Sequence, residues 1–161
     1  MKVALLDANM LIALAWPSHV HHREAQAWFA KNASAGWATC PLTQCAFVRI
    51  SSNEKIIPEA VTPKEALALL GAVVRHKNHV FWPDDISLSD SRVPSDYLVG
   101  HRQVIDAYLL GLAIRNRGRL VTLDSGLSAL LPTHSPHRDV LHVVFATGAT
   151  RGAEQKPGGD G

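Results

Sequence analysis

Residues Met1–Trp16, MKVALLDANMLIALAW, set a short apolar run against an acidic residue. Val3–Leu6 is apolar at consecutive positions and short, as a strand buried on both faces requires. Asp7 follows it directly. Arg119–Asp124, RLVTLD, repeats the arrangement, with a strand candidate at Arg119–Leu123 and a carboxylate at Asp124. If the two strands are parallel, both carboxylates emerge at one edge of the sheet.

Outward from these two stretches, strands and helices alternate. Ser18 is placed to cap a helix carrying Ala25, Trp28 and Phe29 at helical spacing. Trp37–Cys40 is a second strand. Pro41 then opens a helix whose predicted inner face is Leu42, Cys45, Ala46 and Ile50. Thr62-Pro63-Lys64-Glu65 combines a cap, a first-turn proline and a capping-box glutamate. Leu67, Leu70 and Val74 form the predicted stripe behind it. His79–Trp82 is a third strand, and the polar stretch from Asp84 to Pro94 leaves room for a short one at Ile86–Leu88. A helix is predicted from about Arg102 to Arg117, stopped by Gly118. A short helix near Gly126–Leu131 and a last strand at Val140–Val144 complete the series. This alternation predicts one α/β domain over residues 1–146 with a mainly parallel sheet flanked by helices. The Gly-rich residues 147–161 are expected to be a disordered tail.

Composition excludes several classes. At 161 residues, with 47% hydrophobic and 19% charged, the chain is globular. No apolar run approaches the roughly 20 residues of a membrane span. Asp7 breaks the apolar N-terminus early, so a secretory leader is not expected. With Lys+Arg 16 against Asp+Glu 14, the net charge of +2 does not by itself indicate nucleic acid. Two cysteines, Cys40 and Cys45, form neither a disulfide framework nor a zinc set, and a reducing cytoplasm is expected.

The acidic residues carry the chemistry. In parallel sheets, ligands bind beyond the carboxyl ends of the strands. Asp7 and Asp124 meet that condition. Asp106 lies in a helix among Ile105, Leu109, Leu112 and Ala113, where an unpaired carboxylate would be costly. Three such groups in one pocket repel one another unless a hard cation such as Mg²⁺ or Mn²⁺ is present. A cation of that kind supports phosphodiester hydrolysis. Capping is the competing reading for Asp7 and Asp124, since both precede helices.

With these motifs in view, the chain resembles the PIN-domain proteins, and within them the VapC-type toxins of toxin–antitoxin pairs. The resemblance runs from Met1 to about Val144. It rests on LLDANMLIALAWPSHVHHREAQAWF, WATCPLTQCAFVRI and VIDAYLLGLAIRNRGRLVTLDSGL, in that order. It implies a metal-dependent endoribonuclease neutralised by a VapB-type antitoxin, and usually a homodimer. By this likeness Asp7, Asp106 and Asp124 are the catalytic and metal-site carboxylates. Asn9 would orient Asp7, and Thr122 would support the site from behind.

One position departs from the family pattern. A glutamate is expected in the helix after CPLT, and this chain has Gln44. Glutamine keeps a carbonyl oxygen and loses the charge. Either the three aspartates suffice with Gln44 as a neutral support, or activity is weakened and the domain binds RNA or antitoxin without cutting. A phosphoryl-transfer site of the haloacid-dehalogenase kind would need an aspartate where Asn9 stands. Arg49 and Arg102 are the candidate RNA contacts, with ordinary surface charge as the alternative. Trp16 suits either base stacking or a lid on the core. Asp84, Asp85, Asp90 and Asp96 lie in turn-like sequence, and His19, His21 and His22 lack partners at metal-ligand spacing.

Overall fold

In a computed structural model, the structure describes residues 1–144. The tail assigned to 147–161, and residues 145–146 of the expected domain, lie outside the described residues. Among the described residues, five strands form one sheet in the order β3-β2-β1-β4-β5: β1 (Ala4–Leu6), β2 (Trp37–Thr39), β3 (His79–Phe81), β4 (Arg119–Thr122) and β5 (Leu141–Val143). Every pairing is parallel. The helices are α1 (Ala8–Ala15), α2 (His22–Asn32), α3 (Pro41–Ser51), α4 (Pro63–Val74) and α5 (Val104–Arg115).

The topology puts a switch point beside β1. The chain builds β1, β2 and β3 outward on one side, then returns through α5 to lay β4 against the other side of β1. Strand order therefore reverses between β1 and β4, where open α/β sheets form their ligand crevice.

Alternate strand residues serve two cores. Leu5, Ala38 and Leu120 pack with Leu109, Leu112 and Ala113 of α5. Ala4, Leu6, Trp37 and Val121 pack with α1, α2 and Phe47 of α3. Burial of β1 on both faces explains its unbroken apolar run.

Several local expectations differ from the structure. Ser18 does not cap α2. Residues 16–19 form a tight turn, with the His19 amide donating to the Trp16 carbonyl, and Ser18 Oγ donates to Glu59 at 2.9 Å. The helix starts at His22 instead. On α3 the buried residues are Thr43, Phe47 and Ser51, while Cys45 is exposed. The period is helical but the phase is rotated, because the Thr43 hydroxyl turns inward to accept from the Cys40 amide at 3.0 Å. On α4 the capping box forms as expected, yet Ala66 is the buried residue and Leu67 is 58% exposed. Residues Ile86–Leu88 form no strand, and the Ile86 carbonyl instead accepts from the Tyr108 hydroxyl at 3.2 Å.

Gly118 acts differently from a helix terminator. The left-handed residue after α5 is Arg117, with φ 53°. A Cβ on Gly118 would lie 2.4 Å from Trp82 Cη2 and 2.6 Å from the Val3 carbonyl oxygen. Glycine is required there by close packing of β4 against its surroundings.

Candidate active site

Asp7 is the residue at which β1 becomes α1. Its extended backbone (φ −61°, ψ 155°) makes it the cap of α1, and Oδ1 accepts from the Ala8 amide at 2.8 Å. Oδ2 accepts from Thr122 Oγ1, also at 2.8 Å. Asp7 is buried. Burial pushes its carboxyl above the usual range, opposed by these two hydrogen bonds.

Thr122 is the hub of this edge. Its single proton goes to Asp7, while its oxygen accepts from Asn9 Nδ2 at 3.0 Å and from the Asp124 amide at 3.1 Å. Asn9 Oδ1 also accepts from the Leu123 amide at 3.1 Å. Asn9 thus ties the start of α1 to the end of β4. No hydrogen bond joins Asn9 to Asp7 among the described residues; Thr122 stands between them.

Asp124 follows β4, is exposed, and accepts from the Gly126 amide at 2.8 Å, capping the 3-10 turn Ser125–Leu130. Capping and clustering are therefore not exclusive for Asp7 and Asp124, since each caps with one oxygen. Asp106 sits in the first turn of α5. It makes no side-chain hydrogen bond among the described residues. Burial, then the charges of Asp7 and Asp124, push its carboxyl up to about 6. The three aspartates expected to converge therefore feel one another's charge.

The side chains joined at this edge, Asp7, Asn9, Thr122 and Asp124, with Asp106 beside them, offer oxygen and amide nitrogen atoms. That donor set suits Mg²⁺ or Mn²⁺. Among the described residues, no three His, Cys, Asp or Glu side chains are close enough together to enclose a cation. An ion held here would complete its shell with water, as Mg²⁺ commonly does. The oxygen donors fit such a group in kind, and a cation would offset the charges of Asp7 and Asp124 that add to burial in raising Asp106.

The remaining candidates fall elsewhere. Gln44 lies in the first turn of α3 at the same sheet edge, and its Nε2 donates to Thr39 Oγ1 at 3.0 Å. Arg102 is exposed in the 3-10 turn His101–Gln103, just before α5. Arg49 is exposed in the last turn of α3. Neither arginine is ion-paired among the described residues. Trp16 Nε1 donates to Ser51 Oγ at 3.0 Å, joining the ends of α1 and α3. In the second acidic region Asp90 is gripped bidentately by Arg92, and Asp85 meets Arg115 at 3.3 Å. His19 and His22 bond to nearby backbone.

Sequence reasoning passed over Thr39 and His79. Thr39 ends β2 at the same edge as Asp7, so the strand-end rule that singled out Asp7 would have found it. His79 reaches Thr39 only through the β2–β3 register, which no local pattern announces.

A doubly wound parallel domain with acids at its switch point is the architecture of a PIN domain. The PIN-domain family profile matches residues 4–130, and the chain belongs to that family. It is 51% identical over 128 residues to Ribonuclease VapC38 of Mycobacterium tuberculosis, covering 80% of this chain and 89% of that protein. Ribonuclease VapC39 of the same species is 49% identical over 126 residues, covering 78% and 91%. Ribonuclease VapC29 is 44% identical over 143 residues, covering 89% and 97%.

Proposed function

We propose that this protein is the toxin of a toxin–antitoxin pair, a Mg²⁺- or Mn²⁺-dependent endoribonuclease that hydrolyses RNA phosphodiester bonds. The observation that carries the reading is Asp106, a carboxylate without a side-chain hydrogen bond among the described residues, raised by burial and then by the charges of Asp7 and Asp124 at the sheet's switch point. The ribonuclease names of relatives 44–51% identical support it.

Asp7, Asp106 and Asp124 would hold the ion. When bound, such a cation polarises a phosphoryl oxygen and lowers the pKa of water. Asp7 is preorganised for this, because Thr122 and the Ala8 amide fix its carboxylate before any ligand arrives. Asn9 holds Thr122 in turn. Asp106 keeps both oxygens free of protein donors. Gln44 contributes a neutral group where a further carboxylate would add repulsion. Arg102 and Arg49 would contact RNA phosphates, supplying the sequence-independent part of affinity. A VapB-type antitoxin and a second copy of the chain are the proposed protein partners, and the cytoplasm the proposed site of action. No helix among the described residues is long and apolar enough to cross a membrane.

The test is cleavage of RNA by purified protein across a Mg²⁺ and Mn²⁺ series, beside Asp7→Asn and Gln44→Glu. Cleavage should require metal and fall at least about 100-fold in Asp7→Asn. A silent wild type with an active Gln44→Glu would favour a binding module. Absence of any metal binding would overturn the acidic-site reading.

A further inference from the structure

The end of β2 carries a hydrogen-bonded chain that the mechanism above does not use. Gln44 Nε2 donates to Thr39 Oγ1 at 3.0 Å, and Thr39 Oγ1 stands 2.8 Å from His79 Nε2. Thr39 is fully buried. Its hydroxyl has one proton to give, and an amide nitrogen can only donate. Thr39 therefore receives from Gln44, which leaves its own proton free to go to His79 Nε2. That direction requires a neutral His79 with its proton on Nδ1. Partial burial of His79 disfavours the charged ring. The ring packs edge-on to Trp37, with centroids 4.8 Å apart.

We infer that His79, acting through Thr39, is a positioning residue for Gln44: it keeps the amide nitrogen turned into the fold and leaves the carbonyl Oε1 to the acidic site. The inference rests on the cation-dependent reading above. Gln44 lies in the first turn of α3, which follows β2, the strand beside β1, so it shares the carboxyl edge with Asp7. The physical reason for the device is electrostatic. A carbonyl dipole favours a cation or its water, whereas an amide NH₂ turned the same way opposes it. The two ends of a glutamine amide are nearly identical in shape, so an untethered side chain presents either one. The Thr39 hydroxyl, with its proton already directed to His79, accepts only the nitrogen end.

A glutamate at this position cannot donate. The chain would then have to run backwards, from His79 Nε2–H to Thr39 and from Thr39 to the carboxylate. The His79 tautomer is thus a reporter of the chain's direction, independent of catalysis.

The experiment has two readouts on the full-length protein: ring ¹⁵N shifts of His79 without metal, and Mn²⁺ affinity by calorimetry. Wild type should show the Nδ1–H tautomer, and Gln44→Glu should reverse it. Thr39→Val and His79→Ala should weaken Mn²⁺ binding about 10-fold, and Thr39→Ser should restore it. His79 is only partly buried on an edge strand, so His79→Ala tests the coupling even where Thr39→Val fails to fold. An Nε2–H tautomer in wild type overturns the direction of the chain. Unchanged Mn²⁺ affinity in His79→Ala overturns its role. A wild type that binds no Mn²⁺ overturns the cation reading and the role of Gln44 with it, whichever tautomer His79 shows.

Discussion

Asp106 shows what the site costs the fold. Its carboxyl is raised to about 6 against an ordinary value of 3.8. Between those values the native chain holds a proton that the unfolded chain releases. Stability from this group is therefore fully present below about pH 4 and is lost as pH rises toward 6. A rise of that size would be worth roughly 3 kcal/mol in a fully buried group, and about 1 kcal/mol once solvent screening of a half-buried carboxyl is allowed for. Asp106→Asn should thus raise the metal-free melting temperature at pH 7.5 by about 2–4 °C, while abolishing cleavage. Calorimetric scans at pH 4.5 and 7.5 check the sign, since the gain should vanish at the lower pH. The positions of Asp7 and Asp124 at strand ends and of Asp106 in the first turn of α5 were legible because they are local features. Thr122 was legible only as a neighbour of Asp124. Its role as a shared acceptor depends on Asn9, 113 residues away in the chain.

At the scale of elements, the order and kind of segments could be read, and their rotation could not. Periodicity gives the spacing of a buried face, not its phase. On α3 the phase was set by the Thr43 hydroxyl closing on the Cys40 amide. On α4 it let Ala66, rather than Leu67, face inward. Gly118 illustrates the same gap, because a glycine after a helix reads as a terminator whether or not its φ is positive. Gly118→Ala should therefore destabilise the protein by about 3 kcal/mol or more, by driving a methyl into Trp82 and the Val3 carbonyl. Urea midpoints for Gly118→Ala and Arg117→Gly separate the two explanations. If the left-handed turn were the constraint at 118, alanine there would be strained by its backbone alone, and Trp82→Leu would not relieve it. Packing strain predicts partial relief.

For the molecule as a whole, the sheet order was the least legible property. Alternation announces parallel strands, but nothing local says that β4 lies beside β1 and β3 at the edge. The two cysteines report on the integrity of that assembly. Cys45 is exposed, whereas Cys40 is buried in the core with its thiol pushed up to about 11 by burial. A thiol reagent at pH 8 should label one site in the native protein. The second should react only as fast as the fold opens, which mass spectrometry can follow.

The same topology sets a timetable. Asp7 is among the first residues made, and the hydroxyl that orients it belongs to a residue 115 positions later. At roughly 5–20 residues per second, a ribosome takes about 6–23 s to travel between them. Throughout that interval, Asp7 lacks its Thr122 hydrogen bond and β1 lacks its partner β4, with only β2 available to pair with it. Any product that terminates before β4 lacks Thr122 and Asp124 together. The edge that joins Asp7, Thr122 and Asp124 is thus complete only after residue 124 has been made.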